Sequence, residues 1–202
     1  MPSRRRFIQA AIQVDDSPQT TPQTNLQTIP ALNILIIRND KIGDFMLAWP
    51  AFALLRKQYP EARITALVPQ YTAALAELCP SVDEVLIDER KTGRLQDIQA
   101  LARKIRERRF DVSISLFSEA RTAIALRLAG IPLRVGPATK LAQLFLNREL
   151  KQRRSESARP EFEYNTDLVK YFIDLNGDTV SAIPRAPYLS FDAREIAAQA
   201  NS

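Results

Sequence analysis

Asn33 to Tyr59 reads NILIIRNDKIGDFMLAWPAFALLRKQY, and this stretch decides the fold. Leu32 to Ile37 is a short, nearly continuous apolar run, as expected of a parallel strand buried on both faces, and it ends in the polar turn Arg38-Asn39-Asp40-Lys41. Beyond Gly43, the apolar residues Phe45, Trp49, Phe52, Leu55 and Tyr59 recur at helical spacing. Asp44 is placed to cap that helix, and Pro50 marks a kink or the true first turn.

The alternation continues outward from this unit. Ile64 to Val68 reads as a strand, Thr72 to Leu78 as a helix and Val85 to Ile87 as a strand after the Cys79-Pro80 break. A basic helix follows with a narrow stripe of Leu95, Ile98, Leu101 or Ala102, and Ile105. Asp111 to Phe117 is strand-like, Ala120 to Ala129 is an apolar helix closed by Gly130, and Leu133 to Val135 is another short strand. Beyond Thr139 the pattern becomes helical, with Leu141, Leu144 and Phe145. A charged loop then leads to a helix carrying Phe162, Leu168, Val169, Phe172 and Ile173. Strands and helices joined by short connections predict an α/β fold: a Rossmann-like parallel sheet with helices on both faces and right-handed crossovers. Residues 1–30, rich in Gln, Thr and Pro, are expected to form a disordered arm; 31–190 form the domain, and 191–202 read as the start of a further unit.

Composition narrows the chemistry. The 202 residues are 46% hydrophobic and 25% charged, ordinary globular usage. With no His and a single Cys, Cys79, histidine-dependent triads, His-ligated zinc and CxxC clusters are impossible within this sequence. Cys79 reads as a packing residue at a helix end. No stretch approaches the length of a membrane-spanning helix. Ser3 to Gln9 looks like a twin-arginine export signal but lacks the apolar segment that should follow. Twenty-eight Lys and Arg against 23 Asp and Glu leave a charge of +5, which favours anionic partners. The excess is local: Arg90, Lys91, Arg94, Arg103, Lys104, Arg106, Arg108 and Arg109 form one cluster, and Arg148, Lys151, Arg153, Arg154 and Arg159 another. A solvated helix face with a basic loop explains these clusters as well as an anion-binding surface does. Nothing resembling a helix-turn-helix or RRM supports a nucleic-acid partner.

Ligands of open parallel sheets collect at the carboxyl ends of strands where the strand order reverses, so the first strand-to-helix turn is the place to look. Arg38-Asn39-Asp40-Lys41-Ile42-Gly43-Asp44 contains only Gly43, too few glycines for a dinucleotide fingerprint or a P-loop. What remains is a Gly turn that sets Asp44 above the sheet with Arg38, Asp40 and Lys41 beside it; on spacing alone, an ordinary helix cap is the simpler reading of Asp44.

Asn33–Tyr59 closely resembles the opening of glycosyltransferase family 9, the lipopolysaccharide heptosyltransferases. The likeness continues in PSVDEVLID (Pro80–Asp88), FDVSISLFSEARTAIALRLAGIPLRVGP (Phe110–Pro137), LFLNREL (Leu144–Leu150) and EFEYNTDLVKYF (Glu161–Phe172). The resemblance implies the N-terminal, acceptor-binding half of a GT-B glycosyltransferase, with Asp44 as the base of an inverting transfer. It implies Lys41, Arg94 and Arg121 as acceptor-binding residues, with Arg38, Asp40 and Gly43 shaping the turn. Lys41 could alternatively pair with Asp40, and Arg94 and Arg121 could lie on a solvated surface. It also implies a nucleotide-sugar co-substrate of the ADP-heptose type and no other cofactor. The acceptor would be the lipopolysaccharide core or another anionic glycolipid, met in the cytoplasm at the inner face of the inner membrane. No DxD triplet occurs, so a metal-bridged diphosphate is not suggested. The family's nucleotide-binding half is expected to lie beyond these residues, as a separate domain or partner, leaving this polypeptide inactive alone; a non-catalytic basic binding module of the same ancestry is the alternative. Pro160-Glu161-Phe162-Glu163-Tyr164-Asn165 lacks the His and Arg that many relatives carry at this helix start. A base at a helix N-terminus should also be a weak one, because the helix favours its ionised form.

Overall fold

A computed structural model describes residues 31–89, 95–139, 141–156, 158–180 and 182–189. Six parallel strands, β1 (Asn33–Ile37), β2 (Arg63–Val68), β3 (Glu84–Ile87), β4 (Val112–Ser115), β5 (Leu133–Pro137) and β6 (Arg148–Leu150), form one sheet in the order β3-β2-β1-β4-β5-β6. The helices are α1 (Ile42–Met46), α2 (Trp49–Gln58), α3 (Ala73–Glu77), α4 (Leu95–Arg108), α5 (Ala120–Ala129) and α6 (Glu161–Leu175). The strand order reverses between β1 and β4, so the switch point lies at the carboxyl end of β1.

The apolar run of β1 is continuous because both its faces are covered. Ile34 and Ile36 pack with Phe45, Phe52, Leu55, Leu168 and Phe172, while Leu35 and Ile37 face Leu67, Leu101, Ile105 and Leu126 on the opposite side. Alternate residues of one strand therefore anchor two cores, as a parallel sheet between two helical layers requires.

Several elements depart from expectation. The helix expected from Phe45 to Tyr59 is two helices: α1 ends at Met46, and Pro50 sits in the first turn of α2, where its missing N–H costs nothing. Asp44 is no cap. Lys41 holds the N-cap position without a side-chain bond, and Asp44 is the third helical residue. Leu95 is 76% exposed, so the buried stripe of α4 is Ile98, Leu101, Ala102 and Ile105. Leu141 and Leu144 are exposed around a single 3-10 turn, Ala142–Phe145, and the expected charged loop contains the edge strand β6. Gly130 closes α5 in the left-handed conformation at φ 81°, as its position predicted. Cys79 is buried just past α3, with its thiol pushed up to about 11 by burial. The arm expected at 1–30 and the further unit expected at 191–202 lie outside the described residues.

Candidate active site

The turn after β1 is tied down on both sides: Arg38 N–H donates to Leu67 O on β2, and Leu116 N–H from the end of β4 donates to Ile37 O. The Arg38 side chain then runs into the protein, only 2% of the residue being exposed. Its Nη1 donates to Glu161 Oε1 at 2.9 Å, to Asn165 Oδ1 at 3.2 Å and to Leu116 O at 3.3 Å, so α6 and β4 fix one edge of the guanidinium. The other edge meets two acids. Nε lies 2.9 Å from Asp40 Oδ1, and Nη2 lies 3.5 Å from Asp44 Oδ1.

Asp44 is the carboxylate of this group most open to solvent, its side chain 30% exposed against 15% for Asp40. Asp40 is pushed up to about 6, chiefly by burial; Arg38 opposes the rise, and the charge and hydrogen bond of Asp44 add to it. Tyr71 donates its hydroxyl proton to the backbone carbonyl of Asp40, tying the turn to the segment after β2. Asn165 Nδ2 donates to Leu47 O at 3.1 Å, which fastens α6 to the end of α1.

A second guanidinium joins from the segment before α6. Arg154 Nη1 donates to the same Glu161 Oε1 at 2.9 Å and to the same Leu116 O at 2.8 Å, while Nε donates to Gln152 at 2.9 Å. Burial is the largest influence on Arg154 and lowers its pKa; Glu161 offsets this, and Arg38, a like charge, adds to it. Arg154 also lies 5.6 Å from the centre of the Tyr164 ring.

Beneath the turn, Asn39 Nδ2 donates to Asp88 Oδ2 at 2.8 Å and to Thr122 Oγ1 at 3.0 Å. Arg121 Nη2 grips both carboxylate oxygens of Asp88. Arg121 therefore does not lie on a solvated face: its side chain is 11% exposed and knits β3 to α5 under the site. Lys41 is exposed beside the turn, and the ion-pair partner of Asp40 is Arg38. Gly43 has open space where a side chain would begin. Arg94 lies outside the described residues. Of the basic α4 face, Lys104 pairs with Glu89 and Arg108 with Glu84, each at 2.8 Å, which fits a solvated, internally compensated surface.

The turn thus brings together Arg38, Asp40, Lys41 and Asp44, with Arg121 one layer below. Sequence reasoning missed Arg154, Glu161 and Asn165 as parts of the site. Their signal was faint: Glu161 and Asn165 stand four apart on one face of a helix, and Arg154 is one of several arginines in a basic stretch.

Comparison with known proteins bears on this arrangement. No family model matches the chain. A Haemophilus influenzae protein named "Putative glycosyltransferase" is 47% identical over 159 residues, covering 79% of this chain and 45% of that protein. Lipopolysaccharide heptosyltransferase 2 of Escherichia coli is 29% identical over 107 residues, covering 52% of this chain and 31% of its own. Among solved structures, the E. coli ADP-heptose LPS heptosyltransferase II superposes with a TM-score of 0.69 at 24% identity, over 84% of this chain and 50% of that one. A glycosyl transferase family 9 protein of Veillonella parvula superposes at 0.66 with 20% identity, over 80% of this chain and 45% of that one. The chain spans less than half the length of the sequence relatives and about half of the solved chains.

Proposed function

For a chain related to the heptosyltransferase-type glycosyltransferases, we propose that residues 31–189 present a sugar acceptor to an inverting glycosyl transfer in which Asp44 is the base. The observation that carries this reading is the half-open Asp44 carboxylate at the switch point, held by a buried guanidinium. In the transfer, Asp44 takes the proton of the acceptor hydroxyl. The oxygen's freed electron pair forms the bond to the anomeric carbon, and the bond from that carbon to the nucleotide diphosphate breaks, the diphosphate leaving with its electrons. A positioned base contributes about 10² to 10⁴-fold to such a step. The donor is a nucleotide sugar of the ADP-heptose kind, held by the part of the relatives' length that this chain does not span.

The acceptor is an anionic glycolipid of the lipopolysaccharide-core class, reached by peripheral association with the inner face of the membrane. Lys41 supplies an exposed cation for its phosphates, and Arg121 supports the floor by holding Asp88. The surroundings of the turn support a lipid-borne acceptor: Ile42, Met46, Leu47 and Tyr71 are exposed beside Asp44, an apolar rim around a charged centre. No described helix is long and apolar enough to cross a membrane.

The test is transfer of a labelled sugar from its nucleotide to a lipopolysaccharide-core acceptor, using this chain alone and this chain supplemented with the nucleotide-binding half of a relative. Transfer in the supplemented reaction, reduced about 10² to 10⁴-fold by Asp44→Asn, is the expected result. Acceptor binding with no transfer would instead favour a non-catalytic binding module.

A further inference from the structure

Asn165 is a polar residue on the buried face of α6, fully shielded from solvent, with Glu161 one turn before it and the core residues Leu168 and Val169 one turn after. Both ends of its amide are engaged at the candidate site. Oδ1 accepts from Arg38 Nη1 at 3.2 Å, and Nδ2 donates to Leu47 O at 3.1 Å. Leu47 is the C-cap of α1, the helix that carries Asp44. We propose that Asn165 is a positioning residue for the transfer: one amide fixes the Arg38 guanidinium and the end of α1 against each other, and so sets where Asp44 stands on Arg38. Its part in catalysis rests on the reading of Asp44 as the base.

The partners dictate which way the amide points. A guanidinium has donors alone and must meet Oδ1, and a carbonyl only accepts and must meet the NH2 group. Turned over, the amide would set donor against donor and oxygen against oxygen. A fully buried amide is costly unless its bonds are made, and here each bond lands on one of the two parts that have to be kept in register.

The tie matters because α1 has little else to hold it. It is five residues long and Phe45 is its buried side chain, while Ile42 and Met46 are exposed. Leu47 N–H donates to Gly43 O at 3.2 Å, so a bond on the Leu47 carbonyl anchors the whole short helix from its end. The contact to be preserved is a loose one: Arg38 Nη2 stands 3.5 Å from Asp44 Oδ1, at the outer limit of a hydrogen bond. A drift of α1 by about 1 Å would break it, and a misplacement of that size at a reacting group costs about 10²-fold in rate. The guanidinium itself does not drift, since Glu161 Oε1 at 2.9 Å and Leu116 O at 3.3 Å hold the same Nη1. Of the two α6 residues on Arg38, Asn165 also reaches α1.

The experiment compares Asn165→Leu with Val169→Ala, a core substitution one turn further along α6 at a residue that is likewise fully buried. In the supplemented transfer reaction, Asn165→Leu is expected to lower kcat about 10- to 10²-fold with the acceptor KM nearly unchanged, whereas Val169→Ala lowers Tm and leaves kcat alone. A second readout needs no substrate: in this chain labelled with ¹³C-aspartate, the carboxyl-carbon signal of Asp44, assigned by its loss in Asp44→Asn, shifts in Asn165→Leu and stays in place in Val169→Ala. A kcat that follows Tm equally in both variants, or an Asp44 signal unmoved by Asn165→Leu, overturns the proposal. If Asn165→Leu does not fold, Asn165→Ser, whose shorter side chain cannot span both partners, takes its place. Slow transfer by Asp44→Asn beside normal transfer by Asn165→Leu defeats the positioning role and leaves the base standing. Transfer that Asp44→Asn does not slow, or no transfer by the wild type, defeats the base and this proposal with it.

Discussion

Replacing Arg38 by Met removes the group that, among the described residues, ion-pairs with Asp40, Asp44 and Glu161 together, while leaving a side chain of similar length. Those three carboxylates are 15%, 30% and 27% exposed, so water screens them only partly. Removing one partner of a buried ionic cluster typically costs about 3–5 kcal/mol. Glu161 keeps Arg154 as a partner, but Asp40 and Asp44 lose the cation paired with them, so we expect about 3 kcal/mol at about pH 8. Relative to total stabilities of about 5–15 kcal/mol, this is a large fraction. The loss should depend on pH in a definite sense. Without the guanidinium, Asp40 loses the charge that opposes its rise, so its folded-state pKa climbs above that of the wild type and the folded variant holds extra protons in mild acid. Where the folded state binds more protons, stability falls as pH rises, and the penalty is therefore smaller at about pH 5 than at about pH 8. Urea unfolding followed by the fluorescence of buried Trp49 measures both values. Arg38→Lys keeps the charge but not the five-donor fork, and should fall between wild type and Met. A loss below about 1 kcal/mol at both pH values would refute the clamp.

Asp40 itself makes a related prediction. Its pKa is about 6 when folded and 3.8 in the unfolded reference, so its contribution to stability falls as pH rises from about 4 to about 6 and is level above that. The stability of wild type minus that of Asp40→Asn should decline over this window; a flat difference would contradict the shift. Asp88→Asn strands the Arg121 guanidinium and should cost about 3 kcal/mol, read as a lowered Tm. Gly136→Ala should cost about 1–3 kcal/mol, since a Cβ there would stand 2.8 Å from Leu146 Cδ1 and 3.2 Å from Ser115 Cβ; an unchanged Tm would mean that Leu146 gives way freely.

The sheet was legible because its evidence is local. β1 announces itself by an unbroken apolar run, and α5 by a helical stripe ending in Gly130. β6 was not legible: Arg148-Glu149-Leu150 is a three-residue edge strand with two exposed charged residues, and it offers no apolar pattern. The split between α1 and α2 was half visible, since Pro50 permits either a kink or a first turn and only packing decides. Asp44 as a cap was a reasonable inference from residue type, but the helix is capped at Lys41 and starts three residues earlier than that assumes. The site divides in the same way. Arg38, Asp40 and Asp44 come from one short turn and can be read together, whereas Glu161 and Arg154 reach it from more than a hundred residues away. Charge pattern along the chain cannot say which of 28 basic residues is buried. Arg121 shows the cost, because its spacing on α5 fits a solvated face equally well, and only the fold brings Asp88 to it.

The central claim, that the edge bearing Asp44 is where an acceptor sugar binds, is tested most directly by backbone amide NMR of this chain titrated with a phosphorylated lipopolysaccharide-core oligosaccharide. The account predicts shifts concentrated in residues 39–46 and 70–72, weakened by Lys41→Ala. Shifts confined to the basic face of α4, or none at saturating oligosaccharide, would contradict it.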